Sequence, residues 1–572
     1  MSVKEAVPIA QASPAQTGVV DLALFAPRNE SVELLAQWNQ YRPVPMARGD
    51  DGWWRASATL PDGTYQYRFR VKSLSWFAQG QMVEVGDPYA VQILIDASDD
   101  ALVRVKDGKR VWVDFQWQHD EVLLPTNDCL IIYEMHIGDF TGTPEHTGTF
   151  KLAITKLDYL AQMGINAIEL MPIKESFGRQ WGYSLRSLFA IEADYGTAAE
   201  FCHFVDECHA RGIRVIVDGV YNHMHMDAWM AKIDYELWFH RENPDGPDLD
   251  FGPKFDYGRR EGQAPQSPAM RYVADSIRFM VEKYHIDGIR FDCTSAIANF
   301  DVLRELSETA YAKVGVRKPF ICIAEHIPED PAIVGREHGA PMDAAWCDHL
   351  GRRLQAVVSR ATVSNLSPGD LEGLLQAMDP QRNGYQSPYR MITFLGNHDH
   401  KRPMQMIGED GQAFGEMAFR RMTLGHAILL GMPGIPMIWM GSEFGMPSDK
   451  SPDPRPLTWS LLENGDNAAL LRFHQRAIAL RKDIPALRGD GFQVLLCDQQ
   501  RMLMIWKRWN EQGSVALLAA NVADEPADIT IEDSNADDGD WIDRYTDEKF
   551  HMAQGKIALP IGKSQVRLLV RL

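Results

Sequence analysis

The order of apolar and polar positions divides the chain into stretches with different periodicities. From about residue 18 to residue 113, short alternating runs such as DLALFAP and TYQYRFRV are separated by turn signals such as RGDDG and PDG. Alternation with a period of two, broken by short turns, is typical of antiparallel strands. We therefore predict an N-terminal β-sandwich.

Residues 129–488 follow a different pattern, in which apolar strands alternate with amphipathic helices. The apolar runs are CLIIYEMH, NAIELMPI, IRVIVDGV, GIRFD, FICIAE, MITFLGNHD and IPMIWMGSE, and helical patterns such as KLAITKLDYLAQMG and NAALLRFHQRAIALR lie between or after them. Repeated units of this kind predict a parallel sheet. Because the units are so many, a closed (β/α)8 TIM barrel is favoured over an open sheet.

The segments around this barrel complete the predicted organisation. Residues 489–572 return to short strands such as FQVLLC and SVALLAANV, which predicts a C-terminal all-β domain of the sandwich type. Residues 114–128 are interpreted as a linker, and the polar, alanine-rich residues 1–17 as a disordered tail. Within the barrel, residues 221–267 are too many for one helix and rich in Gly, Pro and Asp, so we expect a functional insertion there. The predicted fold class is a multidomain α/β protein.

Composition and charge narrow the range of partners. The chain has 572 residues and a formal net charge of -20, so nucleic acids and anionic membrane surfaces are expected to repel it. No apolar stretch has the length of a signal peptide or a membrane span, and we expect a cytoplasmic protein. The seven cysteines are scattered without a CxxC pair, which argues against a disulfide framework and a zinc site.

Polar residues stand at the ends of four of the predicted barrel strands, in the segments DGVYNH, GIRFD, ICIAEH and FLGNHD. The carboxyl ends of the strands of a closed parallel barrel converge on one mouth. A single acid or a single Arg-x-Asp pair is more often structural, but several acids that share one mouth repel one another unless they are used. The candidates are Asp218, Asn222, His223, Arg290, Asp292, Glu325, His398 and Asp399.

The segment DGIRFDC places an arginine and an aspartate two residues apart in an otherwise apolar strand. Residues i and i+2 of a strand project to the same side, so Arg290 and Asp292 are expected to face the barrel interior together. Because arginine cannot lose its proton, we expect it to lower the pKa of Asp292 and keep it ionised, as a nucleophile requires. Cys293 is expected on the opposite face, packed as a small apolar residue against a helix.

Two further patterns have both a structural and a functional interpretation. His223 and His225 form an H-x-H pair, but no third ligand lies near them in the sequence, so we expect no metal there. Four tryptophans of the first domain could either stack on sugar rings or pack in its core, and the sequence does not separate these alternatives. They are Trp38, Trp53, Trp54 and Trp76.

The segments DGVYNH, GIRFDCTSA, IAEH and FLGNHD, in this order, resemble the four sequence regions of the α-amylase family of glycoside hydrolases and transferases. IYEMHIGDFT, WGYSLRSLFAIEADYG and PGIPMIWMGSEFG add to the resemblance. The first domain resembles the glycogen-binding-like module that precedes the barrel in branching enzymes, isoamylases and maltooligosyltrehalose trehalohydrolases. The last domain resembles the family's C-terminal β-domain.

The resemblance implies roles for three carboxylates. Asp292 would be the nucleophile, Glu325 the general acid/base with a pKa raised by its negative neighbours, and Asp399 the carboxylate that stabilises the transition state. Asp218 would support Arg290 rather than touch the substrate.

The same resemblance implies a set of substrate-binding residues. Tyr183 would stack beneath the sugar in the cleaved subsite, His223 and His398 would hydrogen-bond to it, and Arg290 would orient the nucleophile. No cofactor is required, and a structural calcium ion stays open because residues 224–267 do not reveal its ligands.

The implied reaction is retaining hydrolysis of α-1,4-glucosidic bonds in glycogen, starch or maltooligosaccharides, as in α-amylases. Branching enzymes commonly have Ser where this chain has Asn397, and trehalohydrolases commonly have Asp and Gln where it has His326 and His400. A trehalohydrolase and a branching transferase remain the alternatives. A catalytically silent glucan-binding protein is disfavoured, since all three carboxylates are present.

Overall fold

The computed structural model of the protein describes residues 17–94, 99–178, 181–244, 251–262, 264–314, 318–359, 369–409, 415–448 and 451–572. The tail expected over residues 1–17 lies outside this part of the chain, apart from Thr17. The helices that follow are α1 Ile137–Phe140, α2 Phe150–Ile154, α3 Leu157–Met163, α4 Ala198–Ala210, α5 Trp229–Trp238, α6 Pro268–Tyr284, α7 Thr294–Ile297, α8 Phe300–Val314, α9 Asp348–Ser359, α10 Asp370–Met378, α11 Pro403–Glu409, α12 Glu416–Gly431 and α13 Gly465–Asp483.

The N-terminal region consists of two antiparallel sheets, as the alternating pattern predicts. The strand orders are β1-β5-β4 and β3-β2-β6-β8-β9, with β7 paired to β6. Inward residues of both sheets, such as Leu22, Leu34 and Phe69, form a shared apolar core. The strands are β1 Thr17–Phe25, β2 Val32–Ala36, β3 Val44–Pro45, β4 Ala47–Arg48, β5 Trp53–Pro61, β6 Gly63–Lys72, β7 Met82–Val85, β8 Ala101–Lys106 and β9 Lys109–Val111.

The four tryptophans of this region have different environments. Trp54 is buried and its indole N–H donates to the carbonyl of Ala26 at 2.9 Å, so it is a core residue. Trp53 and Trp38 are half-buried and pack against neighbouring rings. Trp76 is the most exposed of the four, at 51%, and the guanidinium of Arg241 lies over its ring, 4.4 Å from the centroid.

Eight parallel strands close into a barrel, which confirms the predicted fold class. Each strand pairs with the next, and β17 pairs with β10 to complete the circle. Seven of the strands coincide with the apolar runs, whereas the short segment AAW of β15 was not anticipated. The strands are β10 Ile132–Met135, β11 Ala167–Leu170, β12 Arg214–Gly219, β13 Gly288–Phe291, β14 Ile321–Ala324, β15 Ala344–Trp346, β16 Met391–Phe394 and β17 Ile435–Trp439.

Two segments of the barrel differ from the sequence pattern. The run KLAITKLDYLAQMG forms two helices, α2 and α3, because the hydroxyl of Thr155 donates to the carbonyl of Leu152 at 2.6 Å and the helix ends there. The interval 221–267, expected to be irregular, contains α5, whose apolar side chains are buried. Among the described residues, no helix is long and apolar enough to cross a membrane.

The C-terminal region is rich in strands, as predicted. Six strands form one sheet in the order β18-β19-β20-β25-β22-β23, and β21 pairs with β24. Residues such as Leu517, Trp541 and Leu559 fill the space between the two sheets. The strands are β18 Gly491–Asp498, β19 Leu503–Trp509, β20 Val515–Asn521, β21 Ala527–Glu532, β22 Gly539–Asp543, β23 Lys549–Met552, β24 Lys556–Ile561 and β25 Gln565–Arg571.

Candidate active site

A cavity of about 380 Å³ lies at the carboxyl ends of the barrel strands. Of the site residues predicted from the sequence, Asp218, Asn222 and Arg290 do not line it, and Arg290 lies beneath it. The lining residues are Trp181, Tyr183, Ser184, His223, Phe251, Asp292, Cys293, Glu325, His398 and Asp399.

Arg290 is the centre of the charge cluster beneath this cavity. It is 1% exposed, and its Nη1 donates to Asp218 at 2.7 Å and to Asp292 at 2.9 Å. Its Nη2 lies 2.9 Å from Oε2 of Glu325, an ion-pair contact without hydrogen-bond geometry. The guanidinium also lies over the ring of Trp346, 4.2 Å from the ring centroid. One cation therefore bridges three carboxylates.

The excess of negative charge around Arg290 reverses one expectation. Burial raises the pKa of Asp292 well above its ordinary value, Arg290 lowers it, and Glu325 and Asp218 raise it again. The prediction that Arg290 lowers the pKa of Asp292 is therefore wrong in its net direction. The reason is first the burial of Asp292 and then the two neighbouring carboxylates, with which it shares the charge of Arg290.

Glu325 follows β14 and faces Cys293. The backbone N–H of Cys293 donates to Oε2 of Glu325 at 2.8 Å, and the contact with Arg290 falls on the same oxygen. The expectation that Cys293 packs against a helix on the far side of the strand is wrong. The strand ends at Phe291, Cys293 turns into the left-handed region with φ of +44°, and it therefore lines the cavity.

Tyr183 and His398 join the charge cluster to the opposite wall of the barrel. The hydroxyl of Tyr183 donates to Oδ2 of Asp218 at 2.7 Å and lies 3.0 Å from Nε2 of His398. Their rings stack with centroids 5.4 Å apart. The other ring nitrogen of His398, Nδ1, lies 2.6 Å from a carboxylate oxygen of Glu134 at the end of β10.

Two residues of this arrangement, Glu134 and Trp346, were missed by the sequence reasoning. Glu134 occurs in the quoted run YEMH, where a charged residue in a strand was a signal like that of Arg290, but its partner lies 264 residues away. Trp346 belongs to the unanticipated strand β15. Of the other strand-end candidates, Asp218 and Asn222 are buried and do not line the cavity.

The two histidines of the H-x-H pair diverge. His223 lines the cavity, with Nε2 3.1 Å from the carbonyl oxygen of Tyr183. His225 stacks on Phe177 instead, with ring centroids 4.5 Å apart. Within the described ranges, no group of three or more His, Cys, Asp or Glu side chains is arranged to hold a metal ion.

Comparison with known proteins identifies the family of the chain. The family model described as alpha amylase, catalytic domain, matches residues 137–266 and 353–517, together more than half of the chain. The chain belongs to the α-amylase family. It is therefore an enzyme of this family of glucan-active hydrolases and transferases.

Relatives within the family cover nearly the whole chain at low identity. A malto-oligosyltrehalose trehalohydrolase from Rhizobium sp. (strain M-11) is 27% identical and covers 91% of this chain and 93% of its own. The 1,4-alpha-glucan branching enzyme GlgB of Dechloromonas aromatica (strain RCB) is 27% identical, with 88% and 84% covered. The solved structure of a putative alpha amylase from Salmonella typhimurium shares the fold with a TM-score of 0.75 at 22% identity, covering 97% and 98%.

Proposed function

We propose that this α-amylase-family enzyme is a retaining hydrolase of α-1,4-linked glucans such as glycogen, starch and maltooligosaccharides. The observation that carries the proposal is that Asp292 and Glu325 each lie 2.9 Å from a different terminal nitrogen of Arg290, beside one cavity. Retention requires two carboxyl groups about 5 Å apart. Two carboxylates on adjacent nitrogens of one guanidinium are suited to that separation.

In the first step, an oxygen of Asp292 attacks the anomeric carbon while the bond from that carbon to the glycosidic oxygen breaks. Glu325 gives its proton to the departing oxygen, which leaves as a sugar hydroxyl. In the second step, Glu325 takes a proton from water, whose oxygen attacks the anomeric carbon and releases Asp292. Asp399, which lines the same cavity, is proposed to stabilise the positive charge of the transition state.

Oε1 of Glu325 is proposed to be the oxygen that delivers the proton to the leaving group. Both polar contacts of Glu325, from the Cys293 N–H and from Arg290, fall on Oε2. Protonating Oε1 therefore displaces neither contact. Asp292 accepts a hydrogen bond from Arg290 at 2.9 Å, which stabilises its ionised form against the opposing effect of burial.

The sugar-binding residues of the proposal are the polar and aromatic groups of the cavity wall. Tyr183 and His398 present a stacked pair of rings, and His223 lies beside the carbonyl of Tyr183. Arg290 is beneath the floor, where it orients Asp292. Tyr183 supplies a ring face for the sugar, and His223 and His398 supply hydrogen bonds to its hydroxyls.

A second candidate, trehalohydrolase activity, is favoured by the extent of the match to the Rhizobium relative. Against it stand the two positions at which this chain differs from that group. His326 contacts the hydroxyl of Thr294 at 3.0 Å, and His400 contacts Asp348 at 2.7 Å and is buried. Both histidines are thus held in defined positions beside Glu325 and Asp399.

Parallel incubations with maltoheptaose, amylose and maltooligosyltrehalose test the proposal. We expect new reducing ends from maltoheptaose and amylose without free trehalose. Release of trehalose as the main product would assign the second candidate. A fall in iodine staining of amylose with new 1,6 linkages and no new reducing ends would identify a transferase and overturn the proposal.

A further inference from the structure

Glu134 is a buried carboxylate to which the proposed reaction gives no role. It stands at the end of β10, with a residue exposure of 1%. Its Oε1 lies 2.6 Å from Nδ1 of His398, and its Oε2 accepts the backbone N–H of His398 at 3.3 Å. Both carboxylate oxygens therefore contact one residue of the cavity wall, His398.

From His398, polar contacts continue without a break to the proposed nucleophile. Nε2 of His398 lies 3.0 Å from the Tyr183 hydroxyl, which donates to Asp218 at 2.7 Å. Arg290 donates to Asp218 at 2.7 Å and to Asp292 at 2.9 Å. Glu134 is the far end of this series of contacts.

The direction of the hydrogen bonds in the series depends on the protons of His398. Because an ionised Glu134 can only accept, Nδ1 must carry a proton. If Nε2 also carries one, it donates to the Tyr183 hydroxyl, whose own proton is left for Asp218. If Nε2 lacks a proton, it competes with Asp218 for the single proton of Tyr183.

Charged groups on several elements face His398. Asp399, on the same loop, lies 3.3 Å from Nε2, and Glu134 on β10 lies 2.6 Å from Nδ1. Burial lowers the pKa of His398, whereas Asp399 and Glu134 raise it and Arg290 opposes them, which leaves it at about 9.

Further groups surround the imidazole on other sides. Asp218 and Glu169 are carboxylates within electrostatic range of it. Rings enclose it as well, with centroids 5.2 to 6.3 Å from that of the imidazole. These rings belong to Trp181, Tyr183, Trp346 and Trp439. An aromatic face directed at a cation stabilises its charged form.

We propose that Glu134 is a positioning residue that holds His398 as an imidazolium with its Nε2–H directed at Tyr183 and Asp399. Through His398 it sets the direction of the hydrogen bonds that lead to Asp292. The inference rests on the proposed hydrolase activity, because its consequence is read from the pH dependence of that activity.

The test is the pH profile of kcat/KM on maltoheptaose for the full chain and for Glu134→Gln. The wild type is expected to keep its activity well above pH 6.5, the ordinary pKa of histidine. In Glu134→Gln, the alkaline limb, which is the pH above which kcat/KM falls, is expected to lie at least about one pH unit lower. Above that pH, kcat/KM of the variant should fall about tenfold further below the wild-type value for each pH unit. Below that limb, activity should return to near the wild-type value.

Three further comparisons isolate the effect. Glu134→Asp keeps the charge and should restore the limb at least in part. Glu443→Gln removes another fully buried barrel carboxylate, which accepts from the hydroxyls of Tyr133 and Tyr159 at 2.9 Å, and should leave the limb in place. In a His398→Asn background, Glu134→Gln should not shift the profile further.

The outcomes separate the inference from the proposed function. If the wild type cleaves maltoheptaose and Glu134→Gln loses activity equally at every pH, Glu134 has only a structural role and the inference fails. If Glu134→Gln does not fold, an NMR titration of the wild type that gives His398 a pKa at or below 6.5, the ordinary value of histidine, contradicts the inference. Absence of glucan cleavage by the wild type would instead overturn the proposed function.

Discussion

Strand β13 has a buried aspartate at each end, and the two are opposite in their charge environments. Asp287 precedes the strand and is fully buried, with its carboxylate 2.8 Å from Nε2 of His209 and 3.0 Å from Nζ of Lys318. Arg214 donates to its carbonyl oxygen at 2.8 Å. Asp292, at the other end, competes with two carboxylates for one arginine.

The pKa values of the two aspartates move in opposite directions. Burial raises the pKa of Asp287, but Lys318, His209 and Arg214 together bring it below its ordinary value. Burial and neighbouring carboxylates raise the pKa of Asp292. The amino end of the barrel thus satisfies its buried charge, whereas the carboxyl end concentrates unsatisfied negative charge where chemistry is proposed. This division is typical of barrel enzymes.

The largest expected effect is on activity at the carboxyl end. Asp292→Asn should lower kcat on maltoheptaose by at least about a thousandfold, because it removes the nucleophile. Its stability in urea should equal or exceed that of the wild type, since the cluster loses a repelling charge. An active Asp292→Asn enzyme would refute the assignment.

The matched substitution at the amino end should do the reverse. Asp287→Asn leaves His209, Lys318 and Arg214 without their counter-ion and should lower the free energy of unfolding by about 3 kcal/mol. Activity per folded molecule should stay close to that of the wild type. Urea titration followed by far-UV circular dichroism measures the free energy of unfolding. The concentration of folded protein is determined before each assay, so that activity is expressed per folded molecule.

The same pair of variants should separate along the pH axis. Asp287 has a lowered folded pKa, so its stabilising contribution is full above about pH 4 and is lost as pH falls through that folded pKa. Asp292 has a raised folded pKa, so its contribution is full below about pH 4 and is lost as pH rises. Relative to the wild type, Asp287→Asn should become less destabilised on acidification, and Asp292→Asn should become more stable as pH rises from 4. If the stability differences of both variants from the wild type changed in the same direction as pH rises, this comparison of the two aspartates would be contradicted.

The smallest effect is expected from a single cation at the amino end. Lys318 is partly exposed, with a side-chain exposure of 23%, and Asp287 keeps its contacts to His209 and to the Val215 N–H when Lys318 is removed. Lys318→Gln should therefore cost about 1 kcal/mol in urea unfolding. A cost equal to that of Asp287→Asn would show that the cluster depends on Lys318 alone.

The segment DGIRFDC shows what the sequence could and could not predict. Apolar alternation with helices was enough to predict the barrel, and strand-end position was enough to bring Asp292, Glu325 and Asp399 to one cavity. The pKa direction of Asp292 was not predictable, since it depends on the extent of its burial and on how many carboxylates share Arg290. The place of Cys293 depends on its own left-handed conformation two residues after the strand ends, for which the sequence carries no signal.

Contacts between residues far apart in the chain were also not predicted from the sequence. Glu134 lies in β10 and His398 in the loop after β16, and β17 stands between these two strands. The two residues meet only when the barrel closes, so neither run predicts its partner. Strand β15 is only three residues long, too short for a periodic pattern, and with it Trp346 was overlooked. These features arise when the barrel closes in three dimensions, and a local sequence pattern does not contain them.

The most direct test of the account is to trap the covalent intermediate on Asp292. In Glu325→Gln, a maltosyl fluoride substrate needs no acid for departure of fluoride, so the bond from Asp292 to the anomeric carbon should form, while its hydrolysis lacks a base. Mass spectrometry of the intact protein and of its peptides should show one maltosyl adduct on the peptide that contains Asp292. Fluoride release without an adduct on that peptide, or an adduct on Asp399, would contradict the account.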